Sequence, residues 1–181
     1  MKIKETGLKG CLIIEPAIFD DGRGYFFESF NQKKFQELTG INLQFVQDNQ
    51  SMSQRGVLRG LHFQKGLHAQ AKLVRVIKGR VLDIVVDLRP NSVSFGKSYS
   101  LELSEDNKLQ LYVPRGFAHG FAVLENKTIF SYKCDNYYNK ESEGGIIYND
   151  KDLNLDWKLE NNEIQLSEKD KQLPTFKTLF Q

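Results

Sequence analysis

The 181-residue chain has only two cysteines, Cys11 and Cys134, far apart and in no paired motif. That excludes a disulfide framework and a cysteine-rich zinc cluster, and makes a reduced, cytoplasmic setting the expectation. Histidine is almost as scarce, at three residues: His62, His68 and His119. An excess of either charge is missing too. Lys plus Arg number 25 and Asp plus Glu 23, for a net charge of +2. That balance does not support a nucleic-acid partner, but it is compatible with a local basic site for an anionic small molecule. Long apolar runs are also absent. The "CLII" of "MKIKETGLKGCLIIEP" is too short for a signal peptide and stops at Glu15. The string "VLDIVVDL" carries Asp83 and Asp87 and falls far short of a membrane span. No Pro/Ser-rich linker, repeat or low-complexity segment interrupts the chain, so residues 1–181 read as one domain.

What is present is an ordinary globular mix, 40% hydrophobic and 27% charged. Most of it falls into short β-branched or aromatic runs separated by Gly, Asn, Asp or Pro, among them "VLRGLHFQ", "KLVRVIKG", "SYSLELS", "GFAVLEN" and "TIFSYKCDNYY". Strands at such close spacing predict a mainly β protein, a sandwich or barrel of which a jelly roll is one form. "KGR" at 78–80 reads as a hairpin turn between two strands. Two short helices are expected. One runs from Asn31 to Gly40 with Phe35 and Leu38 inward, and the other starts at Ser167 and stops before Pro174. The polar segment "NYYNKESEGGIIYNDKDLNLDW" reads as loop.

Three readings compete for His62 in "VLRGLHFQ". The commonest role of such a histidine is a hydrogen-bonded core residue. A metal ligand is the second. The metal-binding jelly-roll cupins place another histidine two residues on, and here Phe63 and Gln64 follow, so no metal is expected. A general base is the third, since imidazole titrates near neutral pH. A regular strand would point Arg59 and His62 to opposite faces, and Gly60 between them is where a bulge would re-aim one. Lys72, opening "KLVRVIKG", is either a surface lysine or an ammonium able to meet an enolate oxygen. Tyr132 shares a face with Phe130 and Cys134, as a core residue or a general acid. Ser167 with Asp170 three residues on resembles a capping box. Arg23, Phe26, Arg59, Lys72, Tyr138 and Lys169 have the chemistry of a nucleoside diphosphate site: guanidinium forks for phosphate, aromatics for a base.

In combination, "QDNQSMSQRGVLRGLHFQ", "HAQAKLVRVIKGRVLDIVVDLR", "VPRGFAHGF" and "LSEKDKQ" resemble the dTDP-4-dehydrorhamnose 3,5-epimerases of deoxysugar biosynthesis, in order, from about Gly7 to Pro174. The resemblance implies a jelly-roll (cupin) β-sandwich with a few short peripheral helices, a homodimer, no metal or other cofactor, and a dTDP-linked 4-keto-6-deoxy sugar as substrate. Carried over by position, it makes His62 the base, Asp170 its orienting partner, Tyr132 the acid on the opposite face of the sugar and Lys72 the enolate's counter-charge, with Arg59 nearby. It assigns Arg23 and Glu28 to the nucleotide end, Gln47 and Asn49 to the ligand, and His119 to the sugar or diphosphate, and Phe26 is counted with the substrate-binding residues. Tyr138 would stack on thymine, and Glu143 and Lys169 would complete the pocket. Departures from the family pattern are small: Ala71 for glycine, Phe63 for a frequent tyrosine, Gln50 for a frequent histidine. Some relatives with this fold epimerise a single carbon, a reading these motifs leave open.

Overall fold

The computed structural model describes residues 1–180. Thirteen strands and two helices are named here in chain order. The strands are β1 (Lys2–Glu5), β2 (Leu12–Glu15), β3 (Ile18–Asp21), β4 (Gly24–Phe27), β5 (Gln47–Ser53), β6 (Leu58–Gln64), β7 (Lys72–Lys78), β8 (Arg80–Asp87), β9 (Ser98–Ser104), β10 (Gln110–Val113), β11 (Phe117–Val123), β12 (Thr128–Cys134) and β13 (Glu143–Gly145). The helices are α1 (Gln32–Thr39) and α2 (Phe176–Phe180). A six-stranded sheet in the order β1-β2-β10-β7-β12-β5 faces a five-stranded sheet in the order β13-β6-β11-β8-β9, and all strand pairs within them are antiparallel. This is the expected jelly-roll sandwich.

Strand alternation decides what lies between the sheets. Val74, Val76, Leu111 and Phe130 from the larger sheet meet Val81, Val85, Phe121 and Val123 from the smaller one in a single buried cluster. The outward faces are covered separately. Leu82, Ile84 and Val86 of β8 pack under the C-terminal third of the chain, including Trp157 and Phe176. Ile14, Leu73 and Tyr112 pack under α1 through Phe35, which is completely buried.

Local chemistry accounts for α1. Asn31 caps it by accepting from the Lys34 amide, and Gly40 ends it at φ 70°, a left-handed conformation that glycine adopts at little cost. Leu38, expected inward beside Phe35, is instead 52% exposed. An eight-residue helix touches the sheet along one narrow ridge, and Phe35 fills it against Phe30, Phe45 and Tyr112.

Two further expectations change. The turn at 78–80 is no hairpin: β7 pairs with β10 and β12, β8 with β9 and β11. Gly79 is a corner between sheets, at φ 79° and with no room for a side chain, since a Cβ there would meet Thr128 Oγ1 at 2.3 Å. The second helix contracts to a single 3-10 turn, Asp170–Gln172. Within the expected loop, residues 143–145 form the edge strand β13 against β6.

Candidate active site

A cleft of about 580 Å³ opens between the sheets, and a smaller pocket of about 260 Å³ adjoins it, sharing Asn49, His62, Lys72 and Tyr132. His62 enters from β6. Its neighbour across the ladder is His119 of β11, whereas Arg59 sits opposite Phe121. Three steps along β6 therefore match two along β11, and the extra residue is absorbed at Gly60 and Leu61. Leu58 and Leu61 consequently both face the outer core, and Arg59 and His62 both line the cleft. The expected break in alternation is present where expected. Gly60 has φ 120°, the Gly60–Leu61 peptide is cis, and a Cβ on Gly60 would come within 2.5 Å of Gly120 Cα.

His62 Nε2 lies 2.5 Å from Asp170 Oδ1. Asp170 is 3% exposed, delivered by the 3-10 turn, where Ser167 Oγ accepts from the Asp170 amide at 3.1 Å. Only half of the expected capping box forms: Ser167 Oγ accepts from the Asp170 amide, but the Asp170 side chain turns to His62 instead of reaching back to the Ser167 main chain. Burial pushes the Asp170 carboxyl up, but hydrogen bonding and charge from His62, aided by Ser167 and the Gly60 amide, hold it below the usual carboxylate value. A carboxylate accepts, so the shared ring proton sits on Nε2 and Nδ1 carries the free lone pair.

Tyr132 of β12 and Lys72 of β7 come from the other sheet, with the Lys72 ammonium 5.7 Å from the Tyr132 ring centroid. Burial raises the Tyr132 phenol above its usual value, with the Cys134 charge adding and Arg59 opposing. It therefore keeps its proton at neutral pH. Burial lowers Lys72, against the pull of Cys134, Asp83 and Glu143. His62 and Tyr132 thus reach one cleft from opposite sheets.

The adjoining pocket is polar and pre-bonded. Gln47 Nε2 donates to Asn49 Oδ1 at 3.1 Å, and the Tyr138 amide donates to Gln47 Oε1 at 3.1 Å. Glu143 Oε2 accepts from Tyr138 at 2.8 Å and pairs with Lys169 Nζ at 2.5 Å. Burial raises the Glu143 carboxyl, but bonds from Lys169 and Tyr138 outweigh it and bring it below its usual value. Tyr138 is 53% exposed. Arg59 Nη2 donates to Ser53 Oγ at 3.3 Å.

Of the fourteen residues singled out in sequence, three stand apart from the cleft. Arg23 lies on the β3–β4 hairpin, bound to Asp21 at 2.6 Å, and Phe26 beside it is 70% exposed. Glu28 accepts from Asn31 and Lys34 at the start of α1. These two strands pair only with each other, so nothing in the sandwich draws their side chains to the chain's own cleft. Sequence reading missed Gln64 and Gln70, which line the smaller pocket, and Asp83, which bonds His119 at 2.8 Å. Of these only Asp83 carried a signal, an aspartate inside an otherwise apolar strand. Among the described residues, no three His, Cys, Asp or Glu side chains gather as a metal site, and no helix is long and apolar enough to cross a membrane.

A jelly roll with an imidazole–carboxylate pair on one wall of its cleft and a phenol and ammonium on the other has the layout of a proton-transfer enzyme. Residues 5–178 match the model of the family described as dTDP-4-dehydrorhamnose 3,5-epimerase. The chain is 51% identical over 180 residues to the dTDP-4-dehydrorhamnose 3,5-epimerase of Escherichia coli K12, covering 99% of this chain and 97% of that one. The crystal structure of dTDP-4-dehydrorhamnose 3,5-epimerase from Elizabethkingia anophelis superposes with a TM-score of 0.95 at 63% identity, covering 98% of this chain and 97% of the other. A Legionella pneumophila dTDP-6-deoxy-D-glucose-3,5-epimerase, solved in complex with dTDP-4-keto-L-rhamnose, gives 0.94 at 47% identity, with coverage of 99% and 94%. The chain belongs to the dTDP-4-dehydrorhamnose 3,5-epimerase family.

Proposed function

We infer that this chain inverts carbons 3 and 5 of dTDP-4-dehydro-6-deoxy-D-glucose, giving dTDP-4-dehydro-L-rhamnose. The observation that carries the reading is the placing of His62, paired with Asp170, on one sheet and of Tyr132 with Lys72 on the other, all lining one cleft. The ketone at carbon 4 acidifies the hydrogens on its two neighbours. His62 Nδ1 takes the proton from one face, the electron pair moves into the carbonyl oxygen, and Lys72 stabilises the oxyanion. The Tyr132 hydroxyl then protonates the same carbon from the other face, so the centre inverts. A second round at the other carbon follows once the ring has turned, His62 has given its proton to solvent and the Tyr132 phenolate has regained one. The substrate's own ketone is the electron sink.

Scale supports this division of labour. A positioned acid or base contributes roughly 10²–10⁴-fold, and a placed donor at the oxyanion roughly 10²–10³-fold. In the smaller pocket, the Tyr138 ring suits thymine, and Gln47, Asn49, Glu143 and Lys169 suit the remaining polar groups of the nucleotide. His119 and Arg59 face the sugar and diphosphate. Buried, unpaired Cys11 and Cys134 fit a reducing cytoplasm.

The active form is proposed to be a homodimer in which the β3–β4 hairpin serves the neighbouring subunit. That hairpin exposes Phe19, Tyr25 and Phe26 at 64%, 56% and 70%, an apolar patch that calls for a cover. It also carries the two nucleotide-binding candidates, Arg23 and Phe26, that the chain's own cleft lacks. The test of the reaction is proton NMR of the dTDP keto sugar with the wild-type protein in deuterated water. Deuterium at carbons 3 and 5 with inversion of both is expected. Deuterium at carbon 3 alone would reduce the reading to a single-carbon epimerase.

A further inference from the structure

β8 sends two aspartates into the interior, and they are treated differently. Asp87 is saturated: its carboxylate accepts from Arg89 Nε and Nη2, Ser92 and Ser94 at 2.6–2.8 Å. Asp83, four residues earlier and likewise fully buried, has one bond, Oδ2 to His119 Nε2 at 2.8 Å. Its Oδ1 is the one buried side-chain polar atom without a partner among the described residues. The flanking inward residues Val81 and Val85 belong to the apolar core. A half-satisfied interior carboxylate weakens a fold, and where one persists it calls for a reason beyond packing.

His119 supplies that reason. It stands across the ladder from His62, and both rings line the cleft. Both are gripped from behind through Nε2 by a buried carboxylate, at 2.5 Å for His62 and 2.8 Å for His119. A carboxylate accepts, which puts the His119 ring proton on Nε2 and leaves Nδ1 for the cleft. Among the described residues Nδ1 has no hydrogen-bond partner, yet it is not a sealed, unpartnered atom like Asp83 Oδ1.

We propose that Asp83 is a positioning residue for the epimerisation, acting through His119: it fixes the tautomer and angle of that ring so that Nδ1 is the atom offered to the sugar. The inference rests on the epimerase reading of the cleft. Asparagine in place of Asp83 keeps the shape but can present an amide N–H to the ring, which favours the opposite tautomer.

The experiment uses the full-length protein with the dTDP keto sugar. Asp83→Asn is expected to lower kcat by about tenfold or more, because the opposite tautomer offers the sugar an N–H where the wild-type ring offers a lone pair. KM and dTDP affinity stay within about twofold, and the melting temperature is unmoved or higher. The double variant Asp83→Asn/His119→Asn should be no slower than His119→Asn alone, because two residues acting as one unit are not additive. Wild-type kcat in Asp83→Asn overturns the proposal, as does a loss that adds to that of His119→Asn, or a lowered melting temperature with kcat intact. If Asp83→Asn does not fold, the wild-type ring decides: ¹⁵N–¹H correlation at alkaline pH should find the His119 proton on Nε2, and a proton on Nδ1 overturns it. A wild-type protein that fails to turn the sugar over defeats the epimerase reading, while the tautomer measurement still reports on Asp83.

Discussion

His62 and Tyr132 do separable work, because they approach the sugar from different sheets. His62→Ala removes the only proposed acceptor for the carbon-bound proton. Turnover should fall by roughly 10²–10⁴-fold, and deuterium uptake from solvent should vanish at both carbons. Tyr132→Phe leaves the base and Lys72 in place, so proton removal and return from the same face continue. It should retain exchange and lose inversion, as read by proton NMR in deuterated water. Undiminished uptake in His62→Ala would remove that residue from the mechanism. Asp170 permits a finer test because its cap and its carboxylate act independently. The Ser167 hydroxyl accepts from the Asp170 main-chain amide, which Asp170→Asn retains. The carboxyl titrates below its ordinary value in the folded protein, so its contribution to stability is complete above the unfolded value of about 3.9 and is lost as pH falls through the lower folded value. The gap in urea midpoint between wild type and Asp170→Asn should therefore narrow as the solution is acidified below that range. A gap independent of pH would mean that the pairing with His62 does not stabilise the fold.

The bulge in β6 is the element on which the site depends, since it turns Arg59 and His62 to the same side. Gly60→Ala sets a Cβ within 2.5 Å of Gly120 Cα and holds alanine at φ 120°. Overpacking of this kind costs roughly 1–3 kcal/mol and a strained backbone roughly as much again. Denaturant unfolding should register a loss of about 2–6 kcal/mol, or the variant should fail to fold. Gly22→Ala, on the exposed hairpin with open space around it, should change stability by no more than about 0.5 kcal/mol. The need for a break at Gly60 was legible in the sequence, because regular alternation could not bring both side chains to one ligand. The helix at 32–39 was legible from Asn31 and Gly40, its two caps. The corner at Gly79 was not. A glycine turn between two apolar strands looks the same locally whether the strands pair with each other or part into opposite sheets, and only long-range registers tell them apart. The turn at Asp170 likewise had the local pattern of a helix start, but the pull of its side chain toward His62, 108 residues away, is a tertiary contact. Lys72, Tyr132 and Asp170 each had an ordinary structural reading by local pattern, and family resemblance, more than spacing, singled them out.

At the scale of the molecule, the outlying positions of Arg23 and Phe26 become an argument about assembly. A two-fold dimer uses the same patch on both subunits, so a hairpin that reaches one partner's cleft is matched by the partner's hairpin reaching back. Each cleft would then combine His62 of one chain with the hairpin of the other, and complementation tests this directly. Arg23→Ala and His62→Ala subunits, each impaired alone, are mixed, dissociated and allowed to reassemble, then assayed at substrate concentrations below KM. Random pairing makes about half the dimers hybrid. In each hybrid one cleft has an intact His62 and receives an intact Arg23 from the other chain, while the second cleft has neither. About a quarter of all clefts are thus restored, and activity should rise toward that fraction of wild type. If Arg23 acts within its own chain, no hybrid contains a complete cleft, and mixing yields only the average of the two impaired proteins. A monomer by analytical ultracentrifugation at assay concentration would exclude the exchange outright and leave the hairpin's exposed aromatics to some other cover.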